Sequence, residues 1–307
     1  MKKLLIFVVI VIIVIVGFLF FNRDNLTTKH SIITNRGFTA SGDGLYLDND
    51  ATGKNEELPY ASKYYFKGNN LSNYFWYENL CFSIVNIANN DTIKIVYFGK
   101  SNDTTCNKVT PDNYNWQFSI NRNNDWLQSN ILELFQDWQG RNILFEHHLN
   151  YENDAVFTEA DWYIGSVDGS DRTSDNYLRT LKDHIDDERS GDVYRGYIGL
   201  ISVSDYLKAS SGIQHSYAKS VIPKENYLFH DLNFWTINAD KNDTGRVFAV
   251  TAANLIDDGV TFPTNKDSLL RIVYADDATY TFYPALYLNS DINLTGSGSL
   301  EDPYKVR

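Results

Sequence analysis

Leu80-Cys-Phe-Ser-Ile-Val-Asn-Ile87, Asn89-Asn-Asp91 and Thr92-Ile-Lys-Ile-Val-Tyr-Phe98 decide the fold. Two runs of strand length, rich in β-branched and aromatic residues, flank an Asn/Asp cluster that suits a tight turn, so the segment predicts a β-hairpin. Ile84, Ile87, Ile93, Ile95 and Val96 supply its core residues. Cys81 opens the first strand and Cys106 lies just past the second. An even cysteine count favours a bridge over two unrelated thiols, and closing a loop of about 25 residues stabilises by roughly 3 kcal/mol in the chain-entropy model. Two thiols and scattered histidines give no zinc pattern.

Outward from the hairpin, the chain reads as short strands at Tyr64–Gly68, Tyr197–Ser202, Phe234–Ile237, Val247–Val250, Leu269–Tyr274 and Thr279–Leu288. Two segments change period. Trp126, Leu127, Ile131, Leu134, Phe135 and Trp138 recur at helical spacing within residues 124–138, with Asp125 near the start as a cap. Tyr177, Leu178, Leu181 and Ile185 form one apolar face over residues 174–189. Aromatic residues are 15% of the chain, with Tyr 21, Phe 18 and Trp 6, a load that suits pleated, half-buried surfaces. The net charge of −12 argues against nucleic acid as a partner, because an acidic face repels phosphate.

The N-terminus carries a different signal. Met1-Lys-Lys3 precedes an apolar run, Leu4 to Phe21, broken only by Gly17. As a helix of about 1.5 Å rise per residue it would cover about 27 Å, near the hydrocarbon thickness of a bilayer. The run is longer than a signal-peptide core and ends without a small-x-small site, so an uncleaved anchor is favoured over a cleaved signal. Lys2 and Lys3 bias the N-terminus toward the cytoplasm. The expected organisation is a transmembrane anchor at 1–21 that contacts the lipid bilayer through residues 4–21. A polar stalk follows at 22–36, then an extracellular domain at 37–307 with a β-rich N-terminal subdomain at 37–115.

Several stretches taken together resemble an uncharacterised family of bacterial (Gram-positive and mycoplasma-like) cell-surface domains. They are Tyr65-Phe-Lys-Gly68 with Asn73-Tyr74, Trp162-Tyr-Ile-Gly165, Gly199-Leu-Ile-Ser-Val-Ser-Asp-Tyr-Leu-Lys-Ala209, Trp235-Thr-Ile237, Pro284-Ala-Leu-Tyr-Leu-Asn-Ser-Asp-Ile292, Leu294-Thr-Gly-Ser-Gly298 and Asp302-Pro-Tyr304. The resemblance runs from about Gly37 to the C-terminus. It implies an α+β, C-type-lectin-like domain with two helices and short antiparallel sheets, similar to formylglycine-generating enzymes in its C-terminal portion. Two positions depart from the family pattern. Phe82-Ser83 stands where Trp-Arg is usual, and Tyr283 replaces the usual Arg before Pro284. Neither thiol lies near the C-terminal strands, so formylglycine chemistry is not implied.

Candidate sites are few. Asp48-Asn-Asp-Ala-Thr-Gly53 and Asp240-Lys-Asn-Asp-Thr-Gly245 resemble the first half of a Ca²⁺ loop, with Asp240 and Asn242 as oxygen donors, but both lack the closing bidentate Glu. No cofactor is implied beyond that candidate Ca²⁺, and the identity of any metal stays open. His147-His148 are adjacent and diverge in either a strand or a helix. Ser202-Val-Ser-Asp205 has no histidine in register, and Ser204 and Asp205 suit helix capping better than nucleophilic attack. Asp186-Asp-Glu188, Asp257-Asp258 and Asp276-Asp277 read as solvated turns. Trp76, Tyr77, Trp116, Trp162 and Trp235 are aromatic groups that could stack on a sugar or anchor a protein. The leading expectation is therefore non-enzymatic: a membrane-anchored extracellular binding or adhesion module recognising a protein or glycan. The alternatives are a self-assembling surface-layer or filament subunit, which would be a homo-oligomer, and a cell-wall or glycan hydrolase using an acidic pair.

Overall fold

The structure, a computed structural model, describes residues 32, 38–39, 41–48, 58–101, 103–107, 115–137, 149–169, 181–210, 221–222, 226–230, 232–252 and 268–307. The first strands are β1 (Gly44–Leu47), β2 (Ser62–Lys67), β3 (Tyr74–Tyr77), β4 (Leu80–Ala88) and β5 (Ile93–Lys100). Next come α1 (Asn130–Gln136), β6 (Phe157–Thr158), β7 (Ala160–Tyr163), α2 (Leu181–Ser190), β8 (Val193–Gly196), β9 (Ile198–Gly199) and α3 (Val203–Lys208). The chain continues through β10 (Val221–Ile222), β11 (Phe234–Ala239), β12 (Arg246–Ala252), β13 (Ser268–Tyr274), β14 (Ala285–Leu288), β15 (Leu294–Thr295) and β16 (Lys305–Val306).

The β4–β5 hairpin is the spine. Every residue of β4 is buried, which explains its nearly unbroken apolar run, and Asp91 takes the left-handed φ of 66° that closes the turn. One antiparallel sheet runs β1-β2-β4-β5-β14-β6, with β3 beside β4 and β9 beside β14. Residues 80–100 and 285–288 therefore share a sheet through the β5–β14 pair. A second sheet runs β10-β13-β12-β11. A single apolar cluster joins the two, including Phe82, Ile84, Val96, Trp126, Trp235, Phe282 and Leu286.

The predicted first helix is divided. Trp126–Gln128 is a 3₁₀ turn capped by Asp125, and Ser129 then caps α1 through its hydroxyl on Leu132 N–H. Of the second predicted helix, residues 181–190 are seen as α2, while residues 174–180 lie outside the described residues.

The expected fold class is corrected. Strand outweighs helix, 38% against 14%, so the fold is mostly β rather than an α+β, C-type-lectin-like domain built around two helices. The reason is visible in the helices themselves: α1 has 7 residues and α3 has 6, too short to form a helical layer. No helix among the described residues is long and apolar enough to cross a membrane, and the expected anchor at 1–21 lies outside them. With 10 residues, α2 rises only about 15 Å, half a bilayer core. Nothing among the described residues supports the expected single-pass membrane location with a cytoplasmic N-terminus. Residues 1–31 lie outside the described residues.

Cys81 and Cys106 form a disulfide across 25 residues, with Cα atoms 5.9 Å apart. It sits in a small cluster with Phe98, flanked by Tyr74 and Trp76. Replacing both cysteines by alanine should lower unfolding free energy by about 3 kcal/mol in denaturant titration, with an unchanged far-UV spectrum. An unaltered midpoint would show that the bridge does not constrain the unfolded chain.

Candidate functional site

One row of side chains crosses the large sheet on a single face. In register it runs Tyr65, Asn86, Lys94, Tyr287 over β2, β4, β5 and β14. Asn86 and Lys94 are polar residues in mostly apolar strands, and both are buried. Their partner is Asp205. Asn86 Nδ2 donates to Asp205 Oδ1 at 3.0 Å, and Lys94 Nζ donates to Oδ2 at 2.5 Å.

Asp205 stands in the first turn of α3, where it completes a capping box. Ser202 Oγ accepts from Asp205 N–H at 3.1 Å, and Asp205 Oδ2 accepts from Ser202 N–H at 3.1 Å. The cap proper is thus Ser202, not Ser204. Burial on its own would raise the Asp205 pKa, but Lys94, the Ser202 N–H and Lys208 together hold it below its ordinary value. The last turn of α3 is fixed in the same way, because Lys208 forms a buried ion pair with Asp48. That pairing occupies the first carboxylate of one candidate Ca²⁺ loop, and residues 49–53 lie outside the described residues.

Between α3 and this row lies a small cleft of about 30 Å³, room for a water or two or the polar tip of a ligand and not for a whole small molecule. Tyr60, Trp162, Tyr163 and Arg189 complete its wall. Trp162 is placed by its indole N–H, which donates to Gly196 O at 2.9 Å, and by Gly199, where an added Cβ would lie 2.7 Å from the ring. Lys94 Nζ sits 4.9 Å from the Trp162 ring centroid, so that face of the indole is occupied by a cation. Trp162 and Tyr287 meet edge to face at 5.0 Å, and Tyr287 meets Tyr60 likewise at 5.5 Å.

Two lining residues, Asn86 and Arg189, carry a buried polar atom without a hydrogen-bond partner, Oδ1 and Nη1, while the Tyr163 hydroxyl has a backbone contact with Tyr60 and no side-chain partner. The Asn86 amide is oriented by its bond to Asp205, since a carboxylate can only accept, so the unpaired atom is the carbonyl oxygen. Burial, chiefly, pushes the Tyr163 phenol well above its ordinary range, and the hydroxyl keeps its proton.

Behind Ser204 lies Glu188 of α2. It accepts from Ser204 N at 2.6 Å and from Ser204 Oγ at 2.5 Å. Burial raises its pKa to about 7 against these two bonds, which favour the anion. Asp186 and Asp187, its sequence neighbours, are drawn elsewhere: Asp186 pairs with Lys182, and Asp187 accepts from Asp168 N–H.

The remaining predicted residues are distributed as follows. Trp162 reaches the cleft. Trp235 is fully buried, and its indole donates to Trp116 O at 2.8 Å. Trp116 is 42% exposed beside Ile120 and Asn130, away from the cleft lining. Trp76 is half-buried against the disulfide, and Tyr77 donates to Asp154. Asp240 and Asn242 do not line the cleft. They bond within the β11–β12 turn, Asn242 N–H to Asp240 Oδ1 at 3.1 Å, and Asn242 Nδ2 reaches Asp168 at 2.7 Å. Among the described residues no group of three or more His, Cys, Asp or Glu side chains is placed to hold a metal ion. His147-His148 and Asp257-Asp258 lie outside the described residues. Asp276 pairs with Arg122, and Asp277 accepts from Thr279 in a turn.

Comparison with protein-family models, with curated proteins and with solved structures gives no match.

Glu188 makes a pH prediction. Its folded pKa lies above its unfolded one, so the folded state retains the proton longer. The stability this contributes is complete below the ordinary 4.5 and is lost as pH rises through about 7. At about 1.4 kcal/mol per pH unit, the loss is of order 3 kcal/mol. Asp205 acts oppositely, since what it contributes is lost as pH falls below its ordinary 3.8. Denaturant titrations between pH 5 and 8 should show stability falling with pH in the wild type and a flatter profile in Glu188→Gln. Equal slopes would contradict this assignment.

Proposed function

We propose that this chain is a binding module whose cleft receives a polar group of a glycan or protein ligand without turning it over. The observation that carries the reading is that Asn86 and Arg189, each with a buried polar atom lacking a hydrogen-bond partner, line one small cleft. A buried polar atom without a partner is destabilising by about 1–3 kcal/mol, and a ligand that supplies the missing bond recovers that. The resemblance noted in the sequence supports the same place. Gly199–Ala209 provides Ser202, Asp205 and Lys208, Trp162–Gly165 provides two wall aromatics, and Pro284–Ile292 provides Tyr287.

The groups that would carry a reaction are already engaged. Ser204 Oγ is held by Glu188, which lies behind it and is not part of the lining. Asp205 is neutralised by Lys94 and bonded to Asn86. A hydrolase would need two carboxylates facing each other across the substrate, and the cleft wall offers one, already paired.

Asn86→Ala tests the reading. It removes the unpaired carbonyl and leaves the Lys94–Asp205 pair. On a glycan array and in a pull-down with the full chain, capture by the variant should fall about tenfold relative to wild type. Capture that is equal in wild type and variant would place binding elsewhere.

A further inference from the structure

Two groups that can react with each other meet at Asp205. Lys94 carries a primary amine and Asn86 a primary amide. One carboxylate touches both: Lys94 Nζ donates to Asp205 Oδ2 at 2.5 Å, and Asn86 Nδ2 donates to Oδ1 at 3.0 Å. Asn86 and Lys94 are direct partners in the β4–β5 register. Side chains paired in this way start about 4.5–5.5 Å apart at Cβ, which brings the carbonyl carbon of the asparagine within reach of the lysine opposite. All three residues are buried, and Lys94 Nζ lies 4.9 Å from the Trp162 ring centroid and 5.7 Å from that of Tyr287. Few arrangements serve amide formation better than an amine, an amide and a shared proton carrier held together away from water.

We infer that Lys94 and Asn86 become joined by an intramolecular amide bond between their side chains, formed once by the folded chain with Asp205 carrying the protons. This stands whether or not the cleft takes a ligand.

Burial helps to supply the nucleophile. An ammonium and a carboxylate are both costly out of water, and one proton passing from Nζ to Oδ2 removes both charges and frees the nitrogen lone pair. Nζ then bonds to Asn86 Cγ, and the carbonyl π pair moves onto Oδ1. That oxygen has no hydrogen-bond partner, and the cleft that Asn86 lines has room for a water to donate to it as negative charge develops. Asp205 gives its proton to Nδ2, the nitrogen already facing it, and takes a second proton from Nζ. The carbonyl re-forms, the Cγ–Nδ2 bond breaks and ammonia is released. Ammonia carries off the second proton as ammonium, which restores the carboxylate. Amine and amide thus give amide and ammonia, and no oxidant, reductant or cofactor is consumed. A cleft of about 30 Å³ is a water-sized space, enough for a departing molecule as small as ammonia. The event is needed once per molecule, so a slow rate suffices.

Mass spectrometry of the full chain tests this. The disulfide is reduced, and the chain is cut before Asp91, in the turn between the two strands. In the wild type the segments carrying Asn86 and Lys94 should stay joined, in a species lighter than their sum by one ammonia. In Lys94→Met and Asn86→Ala the segments should separate at full mass. Asp205→Asn, shown to be folded by its thermal melt, should separate likewise. Segments of full mass that part in the folded wild type would overturn the inference, and this result needs no variant to fold. Ammonia loss that persists in Lys94→Met would also overturn it, by placing the loss at an asparagine cyclising on its own backbone. An undiminished bond in folded Asp205→Asn would overturn the proton-carrying role.

Discussion

Asp205 is the point on which the site depends. Its two oxygens take Asn86, Lys94 and the Ser202 N–H, so one carboxylate joins the central hairpin to the N-terminus of α3. A buried ion pair is weak evidence of stability in itself, because taking two charges out of water can outweigh their attraction. What the arrangement does supply is position. Lys94 extends from the sheet, Asp205 from a helix that also packs on α2, β11 and β2, and only one placement of that helix satisfies both. The cleft is the space that this placement leaves open.

The same geometry explains why the cavity wall is polar and incompletely satisfied. Asn86 spends its amide on Asp205 and is left with its carbonyl. Glu188 spends both oxygens on Ser204, which fixes the start of α3 from behind, and the adjacent Arg189, whose Nη1 has no hydrogen-bond partner, lines the cleft. Gly199 allows Trp162 to lie against the strand, since a Cβ there would meet the indole. Structural bonds and open bonds are thus divided within single residues, and ligand recognition falls to the atoms that the fold does not use.

Much of the fold could be read from the chain. The hairpin was legible because both of its strands are apolar almost throughout and its turn is Asn-Asn-Asp. The Cys81–Cys106 bridge followed from that hairpin. The fold class was misread because resemblance of short segments was taken to carry an architecture, and 3.6-residue spacing around Trp126 implied one helix where the chain breaks at Ser129 to make a cap. The cleft was the least legible part. Asp205 meets Asn86 and Lys94 across 119 and 111 residues of sequence, a separation at which no local pattern reports contact. Yet a signal was present: Asn86 and Lys94 interrupt apolar runs in strands buried along their length, and Glu188 lies three residues after the buried Ile185, on the inward face of its helix. Polar residues at core positions identified the site better than the tryptophans did, of which Trp162 lines the cleft while Trp235 went to the core.

The most direct measurement is a double-mutant cycle on Lys94→Met and Asp205→Asn, read by denaturant unfolding at pH 6. If the Asp205 carboxylate joins hairpin to helix as described, each single change is strongly destabilising, and the double change is less so than their sum, with a coupling of about 2–3 kcal/mol. A coupling near zero, with the two effects simply adding, would contradict the account.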